Sequence, residues 1–129
     1  MKVQRLLLNL AVADRSPDLE SDLPAHGLDV ATIVSYRMTM VSRLPRQALD
    51  AFAANRIEAV LHYSQRSAHA FLEAARSDGV EISALSVLQC CLSANVALPL
   101  RDAGATQVRV AASPDENALF AALERALRG

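Results

Sequence analysis

Five times along this chain a short apolar, β-branched run passes through a few polar residues into a segment with apolar residues at helical spacing. This alternation constrains the fold more than any other feature. Strands separated by helices cannot pair as tight hairpins; they lie parallel, with helices covering both faces of the sheet. The expected class is α/β: a doubly wound, parallel, five-stranded sheet, for which the flavodoxin-like strand order 2-1-3-4-5 is the natural arrangement. The 129 residues suit a single domain able to bury a core.

In chain order, Val3 to Ala11 reads as the first strand, apolar through Leu6, Leu7, Leu8 and Leu10. Ser16 is an N-cap candidate with Pro17 at the first helical position, and that helix runs to about His26 before Gly27. Leu28 to Met40, with Val30, Ile33, Val34 and Tyr36, reads as a long strand. A helix follows from Arg46 to about Asn55, then a third strand from Ile57 to Tyr63 and a helix from Ser67 to Ser77 closed by Asp78-Gly79. Ala84 to Leu92 is the fourth strand, Asn95 to Ala103 a helix ended by Gly104, and Gln107 to Ala112 the fifth strand. Ser113-Pro114-Asp115-Glu116 has the form of a capping box. The last helix buries Leu119, Ala122, Leu123, Ala126 and Leu127.

Composition narrows the function classes. A hydrophobic content of 52% with 21% charged residues fits a soluble globular protein. The net charge of -1 leaves no electrostatic footprint for nucleic acid or an acidic membrane surface. No apolar run approaches membrane-spanning length. The apolar start is not closed by a small-residue cleavage site and reads as a strand rather than a signal peptide. Cys90 and Cys91 are adjacent, so in a strand they point to opposite faces. Reduced, buried thiols in a cytoplasmic protein are the expectation, and a vicinal redox pair the alternative. His26, His62 and His69 have no metal-ligand spacing among themselves or with the cysteines, so no metal is expected. None of the four glycines sits in a dinucleotide fingerprint or a P-loop. Ser64 stands where a phosphoacceptor receiver domain would carry aspartate.

The strand ends gather Asp14, Arg15 and Ser16; Ser64, Gln65, Arg66 and Ser67; Ser93 and Asn95; and Ser113. In a doubly wound sheet these loops share the carboxyl edge, where ligands bind and helix N-termini offer N–H groups to anions. A polyanion site built of hydroxyls, amides and two arginines is one reading; simple helix capping by serine and asparagine is the other. Two readings also stand for Tyr36: an amphipathic strand tyrosine with a wet hydroxyl, or a cleft-facing phenol that donates to a substrate or polarises a leaving hydroxyl.

The same stretches resemble the uroporphyrinogen-III synthase family. The resemblance is carried by residues 13–20, by Val34-Ser35-Tyr36-Arg37, by residues 59–68, by residues 91–97 and by residues 111–116. Their order and spacing look like the C-terminal half of that family in its alphaproteobacterial form. The family implies two flavodoxin-like domains around a cleft, so this chain would be one half of a two-domain architecture. It implies a carbon–oxygen lyase of tetrapyrrole biosynthesis. Linear hydroxymethylbilane loses its terminal hydroxyl as water, its last pyrrole ring is inverted through a spiro intermediate, and the macrocycle closes without metal or organic cofactor. By the resemblance Tyr36 is the family's strand tyrosine, the catalytic candidate, and Ser64 and Ser67 lie in its strand–loop–helix motif. Arg15, Arg66, Ser93 and Asn95 complete the substrate-binding candidates.

Departures accompany the likeness. Val12 replaces a frequent glycine, Gln65 a proline or arginine, Ser93 a glycine and Val96 a threonine. The family's chains are about twice as long. Either residues 1–40 replace the missing first strand–helix–strand unit and close one domain, or they exchange with a second copy in a homodimer that rebuilds a two-lobed cleft. A non-catalytic half-length module that binds anions or tetrapyrroles, and a purely structural partner, are the alternatives to the enzyme.

Overall fold

The computed structural model describes residues 6–10, 32–36, 44 and 46–128. The chain is an α/β protein with a parallel sheet flanked by helices. Its elements are β1 (Leu6–Leu10), β2 (Thr32–Tyr36), α1 (Arg46–Ala53), β3 (Ile57–His62), α2 (Gln65–Ser77), α3 (Glu81–Ser86), β4 (Leu88–Cys91), α4 (Ala94–Asp102), β5 (Gln107–Val110) and α5 (Glu116–Arg128). The strands pair in the order β2-β1-β3-β4-β5, each pair parallel. The expected helix of residues 16–26 and the outer parts of the two N-terminal strands lie outside the described residues.

Side-chain alternation along β3 and β4 divides the core in two. Val60 and Cys91 face a cluster built with Phe52 of α1, Phe71 of α2 and Leu100 of α4. Ala59, Leu61, Leu88 and Cys90 face the other way, onto Leu119, Phe120 and Leu123 of α5. Both cysteines are free and buried, and burial pushes both thiols up to about 12. They sit in different layers and stay protonated, which makes them poor nucleophiles.

Three helices stop by one device. Asn55, Gly79 and Gly104 take positive φ, and the next residue's N–H returns to a carbonyl five residues back: Arg56 to Ala51, Val80 to Ala75 and Ala105 to Leu100.

The structure departs from two readings of the sequence. Ala84 to Ser86 is not strand: the segment from Glu81 is a short helix, and only Leu88–Cys91 pairs in the sheet. Glu81 in its first turn suits the helix dipole, Ala84 N–H bonds Val80 O at 2.8 Å, and Ser86 Oγ donates back to Ile82 O at 2.6 Å. Alternating apolar residues there reflect a helix half-covered by the core. Ser113 is likewise not the cap of the last helix. Asp115 is, its Oδ1 accepting from Ala118 N–H at 2.8 Å, while Ser113 Oγ donates to Asp115 Oδ2 at 2.5 Å. These two bonds, the serine's first, hold the Asp115 carboxyl below its ordinary range. A carboxylate outcompetes a hydroxyl as acceptor at a helix N-terminus.

Candidate functional site

The carboxyl edge of the sheet repeats one construction. After β3 the backbone stays extended at Ser64 (φ -147, ψ 152), whose Oγ accepts from Ser67 N–H at 3.1 Å while its carbonyl takes the first helical bond, from Ala68. The helix therefore begins at Gln65, two residues before the sequence suggests. After β4, Ser93 is extended in the same way (φ -150, ψ 167) and accepts from Val96 N–H at 3.3 Å. In both loops the capping serine lies two residues beyond the strand. As acceptors, the two oxygens are used in capping; their hydroxyl hydrogens are left to donate outward.

Proline ties the two loops together. Pro99 lies inside α4 and has no N–H to give the carbonyl four residues back, that of Asn95. Gln65 takes the place: its Nε2 donates to Asn95 O at 3.1 Å. The first turn of α2 is thereby fastened to the first turn of α4, and the N-terminal N–H groups of both helices share one edge.

Of the sequence candidates, this brings together Ser64, Arg66, Ser67, Ser93 and Asn95. Ser64 and Ser93 are half-buried, and Arg66 and Asn95 are exposed. Ser67 is buried, and its hydroxyl has no hydrogen-bond partner. Ser113 does not join them, its hydroxyl being turned onto Asp115. Arg15 lies outside the described residues. Tyr36 ends β2 in register with Leu10, and its side chain is outside the description. Beside Arg66 an open groove of about 430 Å³ runs along α2, lined by Gln65, His69, Ala70 and Glu73 as well. Among the described residues no group of three or more His, Cys, Asp or Glu side chains is placed to hold a metal, and no helix is long and apolar enough to cross a membrane.

His62 points from the end of β3 onto α2, buried and hydrogen-bonded. It is fully buried, edge-on to Phe71 at 5.4 Å between ring centres. Its Nε2 is 2.7 Å from Gln89 Oε1, and the Gln89 amide nitrogen donates to Ala84 O at 2.6 Å and Val87 O at 3.2 Å. Because the amide nitrogen is committed to two carbonyls, Gln89 faces the ring with its oxygen, and His62 must carry its proton on Nε2. Burial, only partly opposed by the bond to Gln89, drops its pKa to about 4.

Three polar residues were not among the site candidates read from the sequence. Gln89 is one, and a lone amide in the apolar run Leu88–Cys91 was the available signal. The others are Tyr63 and Glu116, whose Oη and Oε2 atoms are buried without a partner. The sequence reads Tyr63 as the end of a strand and Glu116 as part of a capping box, and only the topology brings the end of β3 to the start of α5.

In open parallel α/β sheets the carboxyl edge of the strands is where ligands commonly sit, and helix starts there offer N–H groups to anions. Residues 2–121 match the family model described as Uroporphyrinogen-III synthase HemD, and the chain belongs to that family. A search of curated proteins gives no match.

Proposed function

We propose that this chain acts as a uroporphyrinogen-III synthase: it binds linear hydroxymethylbilane and closes it to uroporphyrinogen III. The terminal hydroxyl takes a proton and leaves as water as its carbon–oxygen bond breaks, and the methylene carbon left behind bonds to the substituted α-carbon of the last pyrrole ring to give a spiro intermediate. The bond from that α-carbon to the neighbouring methylene bridge then breaks and re-forms at the ring's free α-carbon, which loses its hydrogen as a proton, so the ring is inverted and the macrocycle closed. The observation that carries the reading is the family match over residues 2–121, and the joined helix starts at Ser64–Ser67 and Ser93–Asn95 support it. The substrate's carboxylates are met there by N–H groups, by the outward hydroxyl hydrogens of Ser64 and Ser93, by Ser67 and by the Asn95 side chain. Arg66 and Arg15 supply positive charge. Tyr36 is the proposed proton donor to the leaving hydroxyl. No metal or organic cofactor is required for this chemistry.

The fold proposed for the whole chain is the flavodoxin-like doubly wound sheet of five strands, one domain of the family's two-domain architecture. A second wall for the cleft comes, in this reading, from a second copy of the chain in the cytoplasm. Light scattering tests the homodimer, which a monomer at high concentration removes. Incubation with synthetic hydroxymethylbilane, followed by resolution of uroporphyrin isomers I and III, tests the activity. Isomer III is expected. Isomer I alone, at the uncatalysed rate, ends the enzyme reading and leaves a tetrapyrrole- or anion-binding module.

A further inference from the structure

Tyr63 and Glu116 lie at the same sheet edge as the Ser64 loop but on its other face. Tyr63 is the first residue after β3 and packs with the cluster under α5; Glu116 is the first residue of α5. The phenol hydroxyl is a donor without an acceptor, and one carboxylate oxygen of Glu116 is an acceptor without a donor. Each such group, excluded from water, is unfavourable until it is paired. Buried polar atoms in native proteins are nearly always paired, so an unpaired donor and an unpaired acceptor at a ligand edge ask for a ligand. Glu116 is close enough for its charge to act on the phenol: burial first, and that charge second, raise the Tyr63 pKa above its ordinary value. The phenol therefore keeps its proton and remains a donor.

We propose that Tyr63 and Glu116 form a second substrate-contacting pair, on the α5 side of the β3 end, which takes a pyrrole unit of the tetrapyrrole. Glu116 accepts from the ring N–H, and the Tyr63 hydroxyl donates to a carboxylate oxygen on that same ring. The chemistry is complementary: a pyrrole bearing acid side chains presents one N–H donor and several anionic acceptors, and the pair presents one acceptor and one donor. A free carboxylate or phosphate ion would be repelled by Glu116, so this position differs in selectivity from the helix-start loops at Ser64 and Ser93. The inference rests on the tetrapyrrole reading and extends it across the sheet edge.

Titration with uroporphyrinogen III, kept reduced under anaerobic conditions so that its pyrrole N–H groups can turn outward, tests it together with thermal melting. Tyr63→Phe and Glu116→Gln are each expected to weaken binding about tenfold, the value of one lost hydrogen bond of 1.4 kcal/mol. Tyr63→Phe should leave the melting temperature unchanged or raise it, because the hydroxyl it deletes has no partner. Unchanged binding in both variants overturns the inference while the tetrapyrrole reading stands. A lowered melting temperature in Tyr63→Phe with unchanged affinity also overturns it, since the phenol and Glu116 would then be pairing with each other for stability. If the unsubstituted chain itself neither binds uroporphyrinogen III nor cyclises hydroxymethylbilane, the tetrapyrrole reading fails and this inference fails with it.

Discussion

His62 and Tyr63 are neighbours at the end of β3, yet the fold treats their polar atoms in opposite ways. His62 points to the layer of Phe71, and its Nε2–H is taken by Gln89, whose amide is in turn fastened to two carbonyls. Tyr63 points to the layer of α5, and its hydroxyl meets nothing. The first arrangement joins β3, β4 and the short helix α3 into one unit; only the bare Nδ1 of the histidine stays unpaired. The second leaves hydrogen-bonding capacity unspent at the carboxyl edge of the sheet. A buried polar group that is satisfied belongs to the architecture, whereas one left unsatisfied beside a cleft is a candidate for chemistry.

The sharpest way to break this contrast is to remove Gln89. Gln89→Ala deletes three hydrogen bonds and strands the buried Ala84 carbonyl and His62 Nε2–H together with the half-buried Val87 carbonyl. A loss of about 3–4 kcal/mol is expected, from the lost bonds, the stranded groups and the cavity together. Urea unfolding at neutral pH measures it. A shift below about 1 kcal/mol would mean that the network is incidental and that His62 is no better placed than Tyr63.

Acid should act on the same side of the contrast. The histidine has its ordinary value of 6.5 in the unfolded chain and about 4 in the folded one. The unfolded state therefore binds the extra proton between those values. The stability contributed by neutral His62 is fully present above pH 6.5, falls as the pH drops, and is gone near pH 4. The whole effect amounts to about 3 kcal/mol. Unfolding curves across this window should lose most of that slope in His62→Gln, which cannot titrate. A slope that persists in the variant assigns it to other groups.

The sequence made the alternation legible because its period changes between strand and helix, and it marked Ser64 and Ser93 because capping uses local residues at fixed offsets. Physics explains what stayed hidden. Glu81–Ser86 is too short for helical spacing to separate from strand alternation. The capping role of Asp115 depended on a competition between two good acceptors. Gln89 and Glu116 acquire their meaning only from partners 27 residues away and at the end of β3, and no local pattern encodes that. Of the site, the loops could be read and the relation between them could not, because it passes through a carbonyl that Pro99 leaves unpaired.

Smaller effects separate capping from ligand contact within the Ser64 loop. Ser64→Ala should lower stability by about 1 kcal/mol through loss of the cap. Ser64→Asp keeps an acceptor for Ser67 N–H, so its stability should stay near that of the parent, yet it loses the outward hydroxyl hydrogen and adds a negative charge. If the loop meets carboxylates, Ser64→Asp should bind uroporphyrin III more weakly than Ser64→Ala despite being more stable. The opposite ranking, with affinity following stability, would reduce Ser64 to a cap and leave the helix starts without a demonstrated ligand role.

The smallest effect tests the tether. Gln65→Ala removes one exposed hydrogen bond, worth about 0.5–1 kcal/mol. Pro99→Ala gives α4 the N–H it lacks, aimed at the same Asn95 carbonyl, so Gln65 then has a competitor for its acceptor. In a double-mutant cycle the loss caused by Gln65→Ala should shrink toward zero in the Pro99→Ala background, a coupling measurable by urea midpoints even where the single effects are small. Additive effects would mean that Gln65 and Pro99 act independently and that the two loops are not joined through that carbonyl. With coupling, the proline becomes part of the edge's construction: by withholding one hydrogen bond within α4, it makes possible the bond that holds the two helix starts side by side.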